Sequence, residues 1–264
     1  MKIQVQQVKA GYLHYLVDFN ACPEKLILGG ELNGTDMALL RYMSGGGNIL
    51  EDGGLGTTLA CPLCSLDISQ CRIVEGGEPY YKDYVTESDV IGKEMFKWCL
   101  FLKDIKLPNT ITAIGDNAFF ESERISALEI PASVKTIGYA SFYGCVGLES
   151  FEVAEGNTAF KTVDGVLYNY AGTELVAYPA SREGVVYSPE ENTTRLRSYA
   201  FSYAQYLETF ESNLRLSTID YGAFYQAVRL QKVSLGNRLK WVEEYAFAGC
   251  TGLESVFCAG VMPA

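Results

Sequence analysis

One histidine, His14, is all that 264 residues offer for proton transfer near neutral pH, because no other side chain ordinarily titrates there. It sits in the apolar-aromatic stretch Tyr12-Leu13-His14-Tyr15-Leu16, where a lone imidazole is more often a packing residue than a catalyst. Any Ser-His or Cys-His pair would have to use this single ring, and no G-x-S-x-G turn accompanies it. Positive charge is also short: 21 Lys and Arg stand against 32 Asp and Glu, for a net charge of -11. No basic stripe is visible, which excludes nucleic acid and anionic lipid as expected partners. No run approaches the ~18 apolar residues of a membrane span. The opening MKIQVQQVKAGYLHYLVDFNAC lacks the apolar stretch of a signal peptide, and Asp18 and Asn20 before Cys22 spoil a lipobox. Gly45-Gly46-Gly47 lacks the Lys-Ser/Thr that a phosphate loop needs. No cofactor is expected.

What the chain does have is a period. The stretch Ile130 to Phe151, IPASVKTIGYASFYGCVGLESF, returns when the sequence is slid against itself by 23 residues. Its Phe column runs Phe96, Phe119, Phe142, Phe201, Phe224 and Phe247, with spacings of 23, 23, 59, 23 and 23. An aliphatic residue stands five before each Phe (Ile91, Ile114, Ile137, Leu196, Ile219, Val242) and another six after it (Leu102, Ile125, Leu148, Leu207, Leu230, Leu253). A closing apolar residue follows (Ile105, Leu128, Phe151, Phe210, Val233, Val256). Four columns held in register over six copies predict a solenoid of stacked 23-residue rungs, one parallel strand per rung. No rung carries the ~10-residue apolar stripe of a helical repeat.

Three of the eight cysteines, Cys99, Cys145 and Cys250, share the position three after the Phe, where other rungs have Ser122, Ala204 and Ala227. That column reads as a tight slot for a small, mostly apolar side chain. Cys61-Pro62-Leu63-Cys64, with Cys71 beyond, is the sharpest chemical signal. However, Ser65 to Ile68 reads as a strand, so no helix dipole would activate a thiol, and the paired spacings of a zinc site are missing.

Upstream, Leu26 to Leu28 reads as a short strand, Asn33-Gly34 as a turn, and Thr35 or Asp36 as the cap of a helix through Met37, Leu40 and Met43. The expected organisation is an N-terminal cap with degenerate repeats over 1–90, regular repeats over 91–153, an inserted β-hairpin over 154–189 and regular repeats over 190–264. In the insert, TVDGVLYN and TELVAYP flank the turn Tyr170-Ala171-Gly172. No polar capping segment follows the last rung, so its edge is expected to lie open.

The pattern IPxSVxxIGxxxFYGCxGLES resembles the BspA-like, or treponemal-type, leucine-rich repeat, as in Bacteroides-type gut bacteria. The resemblance covers residues 91 to 259 and implies a leucine-rich repeat solenoid, β-rich with short turns and helical pieces. Ser141 and Met95 depart from the usual Ala before the Phe. The resemblance further implies an exported, cell-surface or extracellular protein that adheres to a host or matrix protein, or to a glycan, and is no enzyme. On the strand face, Asp104, Ser150, Thr209 and Lys232 in one column and Lys106, Glu129, Glu152, Glu211, Ser234 and Phe257 in the other are the candidate binding residues. Glu129, Glu152 and Glu211 are expected to stack on adjacent rungs, giving a patch for a basic partner or a cation, or simply a solvated face. Tyr168, Tyr170, Tyr178 and Tyr187 on the insert are candidates for stacking on sugar or peptide, or are plain strand formers. The competing readings are a structural spacer without a specific ligand and a thiol or zinc site at Cys61, Cys64 and Cys71.

Overall fold

A computed structural model of the chain describes residues 1–18, 23–46 and 62–260. It divides into two compact units, Met1–Cys145 with Ala154–Asn157, and Val146–Val153 with Thr158–Ala264. Each is built as a parallel β-solenoid.

The first unit contains β1 (Lys2–Val8), α1 (Leu13–Leu16), β2 (Lys25–Leu32), α2 (Gly34–Met43), β3 (Ser65–Ile73), β4 (Val90–Ile91), β5 (Asp104–Lys106), β6 (Ala113–Ile114), β7 (Ala127–Ile130) and β8 (Thr136–Ile137). One sheet runs β1-β2-β3-β5, all parallel, with Leu26 beside Leu66 and Leu66 beside Ile105. The irregular N-terminal part therefore supplies rungs in register with the first regular one. Alternation sets which side is inside: on β3, Leu66, Ile68, Cys71 and Ile73 are buried. A register shift between Val5 and Val8 brings β1 against Gly30, whose φ is +112°. A Cβ there would lie 2.3 Å from the Val8 carbonyl oxygen, so only glycine fits.

The cap of α2 is Asn33, not Thr35 or Asp36. Its side chain accepts from the Thr35 amide at 3.1 Å, while the Asp36 carboxylate accepts from the Asn33 amide at 3.0 Å. Asp36, 1% exposed, also takes the amides of Gly11 at 2.6 Å and Leu13 at 3.0 Å. It thus tethers the segment after β1 to the helix.

In addition to the expected strand, each regular rung carries a second strand of two residues, and these form the ladder β4-β6-β8. Between the two ladders lies the Phe bend. Phe96 stacks on Phe119 at 5.4 Å and Phe119 on Phe142 at 6.0 Å, with interplanar angles of 8° and 18°. Phe96 and Phe119 are fully buried and Phe142 half-buried. Alternate bend amides donate to the next rung: Phe96 to the Ala118 carbonyl at 2.7 Å and Phe119 to the Ser141 carbonyl at 2.8 Å.

That ladder demands left-handed backbone two residues before and after each Phe. Glu94, Asn117 and Ala140 precede at φ 56°, 54° and 50°, and Trp98 and Glu121 follow at 59° and 52°, with Gly144 at 73°. A Cβ in this region costs about 1–2 kcal/mol. Ala140→Gly is therefore expected to raise stability by about 0.5–1 kcal/mol after the entropy of glycine is counted. A urea midpoint measurement checks this, and a lower midpoint than the parent contradicts it.

The second unit contains β9 (Ser150–Val153), β10 (Phe160–Val163), β11 (Val166–Asn169), β12 (Glu174–Ala177), β13 (Val186–Tyr187), β14 (Arg195–Leu196), β15 (Thr209–Glu211), β16 (Thr218–Ile219), β17 (Lys232–Leu235), β18 (Trp241–Val242) and β19 (Ser255–Cys258). Strands β10, β11 and β12 pair antiparallel in sequence order, and β12 then joins β14, β16 and β18 in parallel. The other ladder is β13-β15-β17-β19. The antiparallel strands thus continue directly into the repeat. Their last member is a rung in its own right: Leu175 pairs with Leu196, and Tyr178 stacks on Phe201 at 4.9 Å and 25°. The column continues through Phe224 at 4.7 Å and Phe247 at 5.1 Å. Phe201, Phe210, Phe224, Leu207, Leu230 and Val233 are 0–1% exposed and form the centre of this core.

Candidate binding surface

The strand ladders place the candidate residues by pleat alone. On β5, Asp104 and Lys106 are exposed on either side of buried Ile105. On β7, Glu129 is exposed between buried Leu128 and Ile130. In the second unit, Glu152, Glu211, Lys232, Ser234 and Phe257 are exposed, while Ser150 and Thr209 are half-buried. Inward positions keep one chemical type from rung to rung; outward positions do not.

Glu211 does not join Glu152 in the expected acidic stack. Glu152 and Glu211 stand on rungs that are not adjacent, because the insert contributes β13, whose Val186 and Tyr187 pair with Thr209 and Phe210. The neighbour of Glu211 on the other side is Ser234. The second unit's outward columns therefore run Val186, Thr209, Lys232, Ser255 and Glu211, Ser234, Phe257. Phe257 is 66% exposed and is the one large apolar side chain among the candidates.

The first unit extends its face beyond the candidates. Asp104 lies in register with Ser65, Lys25 and Lys2, and Lys106 with Asp67, Ile27 and Gln4. An open hollow of about 410 Å³ is lined by Lys2, Lys25 and Lys103 together with Glu24, Asp104 and Cys64. The alternating KIQVQQV of β1 was the available signal for these residues, yet it lies outside the 23-residue period.

The tyrosines of the insert are mostly structural. Tyr168 is fully buried and Tyr178 is 4% exposed, while Tyr187 is half-buried with its hydroxyl bonded to that of Tyr168. Only Tyr170, 60% exposed, presents its ring to solvent. His14 is exposed on α1, its ring 3.8 Å from that of Tyr15.

The cysteine column has a polar role that the small-slot reading missed. The Cys145 thiol donates to the Phe119 carbonyl at 3.1 Å and the Cys250 thiol to the Phe224 carbonyl at 3.0 Å; the Ser122 hydroxyl does the same for Phe96. Burial pushes the Cys99 thiol up to about 11 and the Cys145 thiol to about 12 from an ordinary 9.0. Below pH 9 both states hold the neutral thiol, so its contribution to stability is complete there. Above pH 9 only the unfolded chain ionises, so stability falls as pH rises toward about 12. Cys145→Ser, which keeps the donor and loses the titration, is expected to flatten this decline when urea midpoints are compared at pH 8 and pH 10; parallel declines would contradict it.

Of the proposed thiol or zinc site, Cys61 lies outside the described residues. Cys64 precedes β3 and Cys71 lies within it, seven residues on, or roughly 23 Å along an extended strand. Cys71 is buried, with its thiol pushed up to about 12, chiefly by desolvation and then by Asp67 and Asp36. A thiol in that state is a poor nucleophile. Among the described residues no group of three or more His, Cys, Asp or Glu could hold a metal ion, and no helix is long and apolar enough to cross a membrane.

In-register parallel ladders, stacked aromatic bends and outward columns free to vary define a solenoid repeat protein. The BspA type leucine rich repeat region matches residues 89–170 and 186–261, in six copies, and the chain belongs to that family. Among solved structures it is similar to the pneumococcal vaccine antigen PcpA, at 23% identity and a TM-score of 0.60, over 89% of this chain and 58% of that one. It is also similar to a leucine-rich repeat protein from Eubacterium ventriosum, at 22% identity and a TM-score of 0.52, over 74% of this chain and 61% of that one. The chain thus spans about three fifths of the length of each. No curated protein matches it in sequence. Family and fold together support a protein-interaction module.

Proposed function

We propose that the chain is a non-enzymatic binding module, secreted or held at the cell surface, that captures a protein partner through the outward columns of its strand ladders. The observation carrying this reading is the contrast within each strand. Residues facing in repeat from rung to rung, whereas Asp104, Lys106, Glu129, Glu152, Glu211, Lys232, Ser234 and Phe257 face out and differ. Within each unit the ladder fixes such side chains at a spacing of ~4.8 Å per rung, so that a partner meets a preformed surface on that unit. The exposed Phe257 beside polar neighbours suits an interface in which an aromatic anchor is ringed by hydrogen-bonding groups. The outside location is supported by the family and by the shared fold of a vaccine antigen. A host or matrix protein, or a glycan, is the partner this location implies.

Converting Glu129, Glu152 and Glu211 to Lys is expected to leave the melting temperature within a few degrees and to abolish capture of partners from an extracellular-matrix extract. Retained capture would remove these residues from the surface. Absence of saturable binding by the parent would favour a spacer instead.

A further inference from the structure

The strand face of the first unit is broken at one place that the candidate columns do not include. On β1, Gln6 and Gln7 stand opposite the single residue Gly29, between the pairs Val5–Leu28 and Val8–Gly30. On β3, Ile68 and Ser69 stand opposite Leu28 alone, between the pairs Asp67–Ile27 and Gln70–Gly29. Both neighbours of β2 therefore carry one extra residue at the same level. The core side is undisturbed, since Val8 and Cys71 are buried again beyond the two bulges. What the bulges change is the outer face, where they re-aim the side chains.

The consequence is a depression of about 310 Å³ whose lining includes Gln4, Gln6, Ile27, Gly29 and Gln70. Gly29 brings no side chain to fill it. A Cβ there would lie 3.1 Å from the Gln6 carbonyl oxygen and 3.5 Å from the Gln70 Cβ. Ile27 is half-buried in the face, while Gln4, Gln6 and Gln70 are exposed. Among the described residues, none of these three amides has a hydrogen-bond partner. Although 20% of the chain is charged, no charged side chain lines the depression. Asp67, the ladder partner of Ile27, is occupied by Ser69, whose amide and hydroxyl donate to it at 3.1 and 2.7 Å.

We propose that this depression is a subsite for a neutral sugar residue of a glycan, seated with its aliphatic ring face on Ile27 and its hydroxyls on the amides of Gln4, Gln6 and Gln70. A carboxamide both donates and accepts, and so does a sugar hydroxyl, so the match needs no charge. A sialylated or sulfated sugar would bring an anion against a lining that holds no cation to pair with it. The volume lies at the lower end of the range for small-molecule sites, which suits one ring rather than a folded partner. The inference rests on the binding-module reading for its extracellular setting alone, because none of these residues is among the strand-face candidates.

The test reads the full chain on a printed array of neutral oligosaccharides of glucose, galactose, mannose and N-acetylhexosamines, beside sialylated and sulfated ones. The strongest neutral binder is then titrated in solution. The triple variant Gln4→Ala, Gln6→Ala, Gln70→Ala loses only exposed side chains, so its melting temperature is expected to stay within a few degrees of the parent. Its Kd for that oligosaccharide is expected to rise about tenfold or more, from the loss of three hydrogen-bonding groups. The variant with Glu129, Glu152 and Glu211 changed to Lys is expected to keep the parental Kd for the oligosaccharide even where it no longer captures protein, so the two readings fail separately. An unchanged Kd in the glutamine variant overturns the proposal, as does a parent that binds no neutral oligosaccharide or prefers the sialylated or sulfated ones. Loss of matrix-protein capture in the glutamine variant, with no binding to the array by the parent, overturns it in favour of a protein segment at this place.

Discussion

Phe224→Ala is expected to lower the unfolding free energy of the second unit by about 3–5 kcal/mol. The ring is fully buried and stacks on Phe201 at 4.7 Å and on Phe247 at 5.1 Å, with Phe210 edge-on at 5.0 Å. Removing it opens a cavity that touches three rungs at once, and interrung hydrogen bonds on both sides hinder collapse: Phe201 donates to the Ala223 carbonyl and Phe224 to the Ala246 carbonyl, each at 2.7 Å. Phe142→Ala is expected to cost clearly less, because that ring is half-buried. Urea denaturation of both variants reads the difference. A loss under about 1 kcal/mol for Phe224→Ala would mean that the aromatic column does not carry the core.

Arg41→Ala is expected to destabilise the first unit by a similar amount, about 3–5 kcal/mol. Arg41 is 1% exposed, and its guanidinium donates to the Glu94 carbonyl at 2.6 Å, the Met95 carbonyl at 2.7 Å and the Gly46 carbonyl at 3.1 Å. It also lies over the Tyr81 ring at 4.2 Å. Burial lowers its pKa, partly offset by Cys99, Tyr81, Tyr80 and Glu94. The side chain therefore joins α2 to the first Phe bend, and its loss strands three buried carbonyls. Arg41→Lys is expected to recover less than half of the loss, since one ammonium cannot reproduce the fork. Trp98 sits on the bend that Arg41 secures and donates to the Glu121 carboxylate at 2.7 Å, so its fluorescence reports the transition. An Arg41→Ala protein with parental stability would contradict this role.

Legibility in the sequence tracked the strength of the period. The Phe and aliphatic columns were readable because an inward position tolerates one kind of side chain, and Phe119, Phe201 and Phe224 are indeed fully buried. Tyr178 escaped because its rung is shortened: Leu175 takes the aliphatic place three residues before the ring instead of five, and the ring is Tyr. That hidden rung is also why Glu152 and Glu211 do not adjoin. Asn33 was read as a turn because Asn-Gly suits both a turn and a helix cap, and only the distant amides of Gly11 and Leu13 make Asp36 the hub. The left-handed bend residues gave no warning, since Glu94, Ala140 and Tyr199 are not residues that announce positive φ. The candidate binding residues were legible as outward positions, but exposure alone does not name a ligand.

The stacking of successive rungs is tested most directly by amide hydrogen exchange at Phe119, Phe201 and Phe224, whose N–H groups donate to the following rung at 2.7–2.8 Å. Exchange of all three only through unfolding of their unit, with protection falling in step with stability in Phe224→Ala for the latter two, is the predicted result. Exchange at the rate of an open loop while the protein remains folded would contradict it.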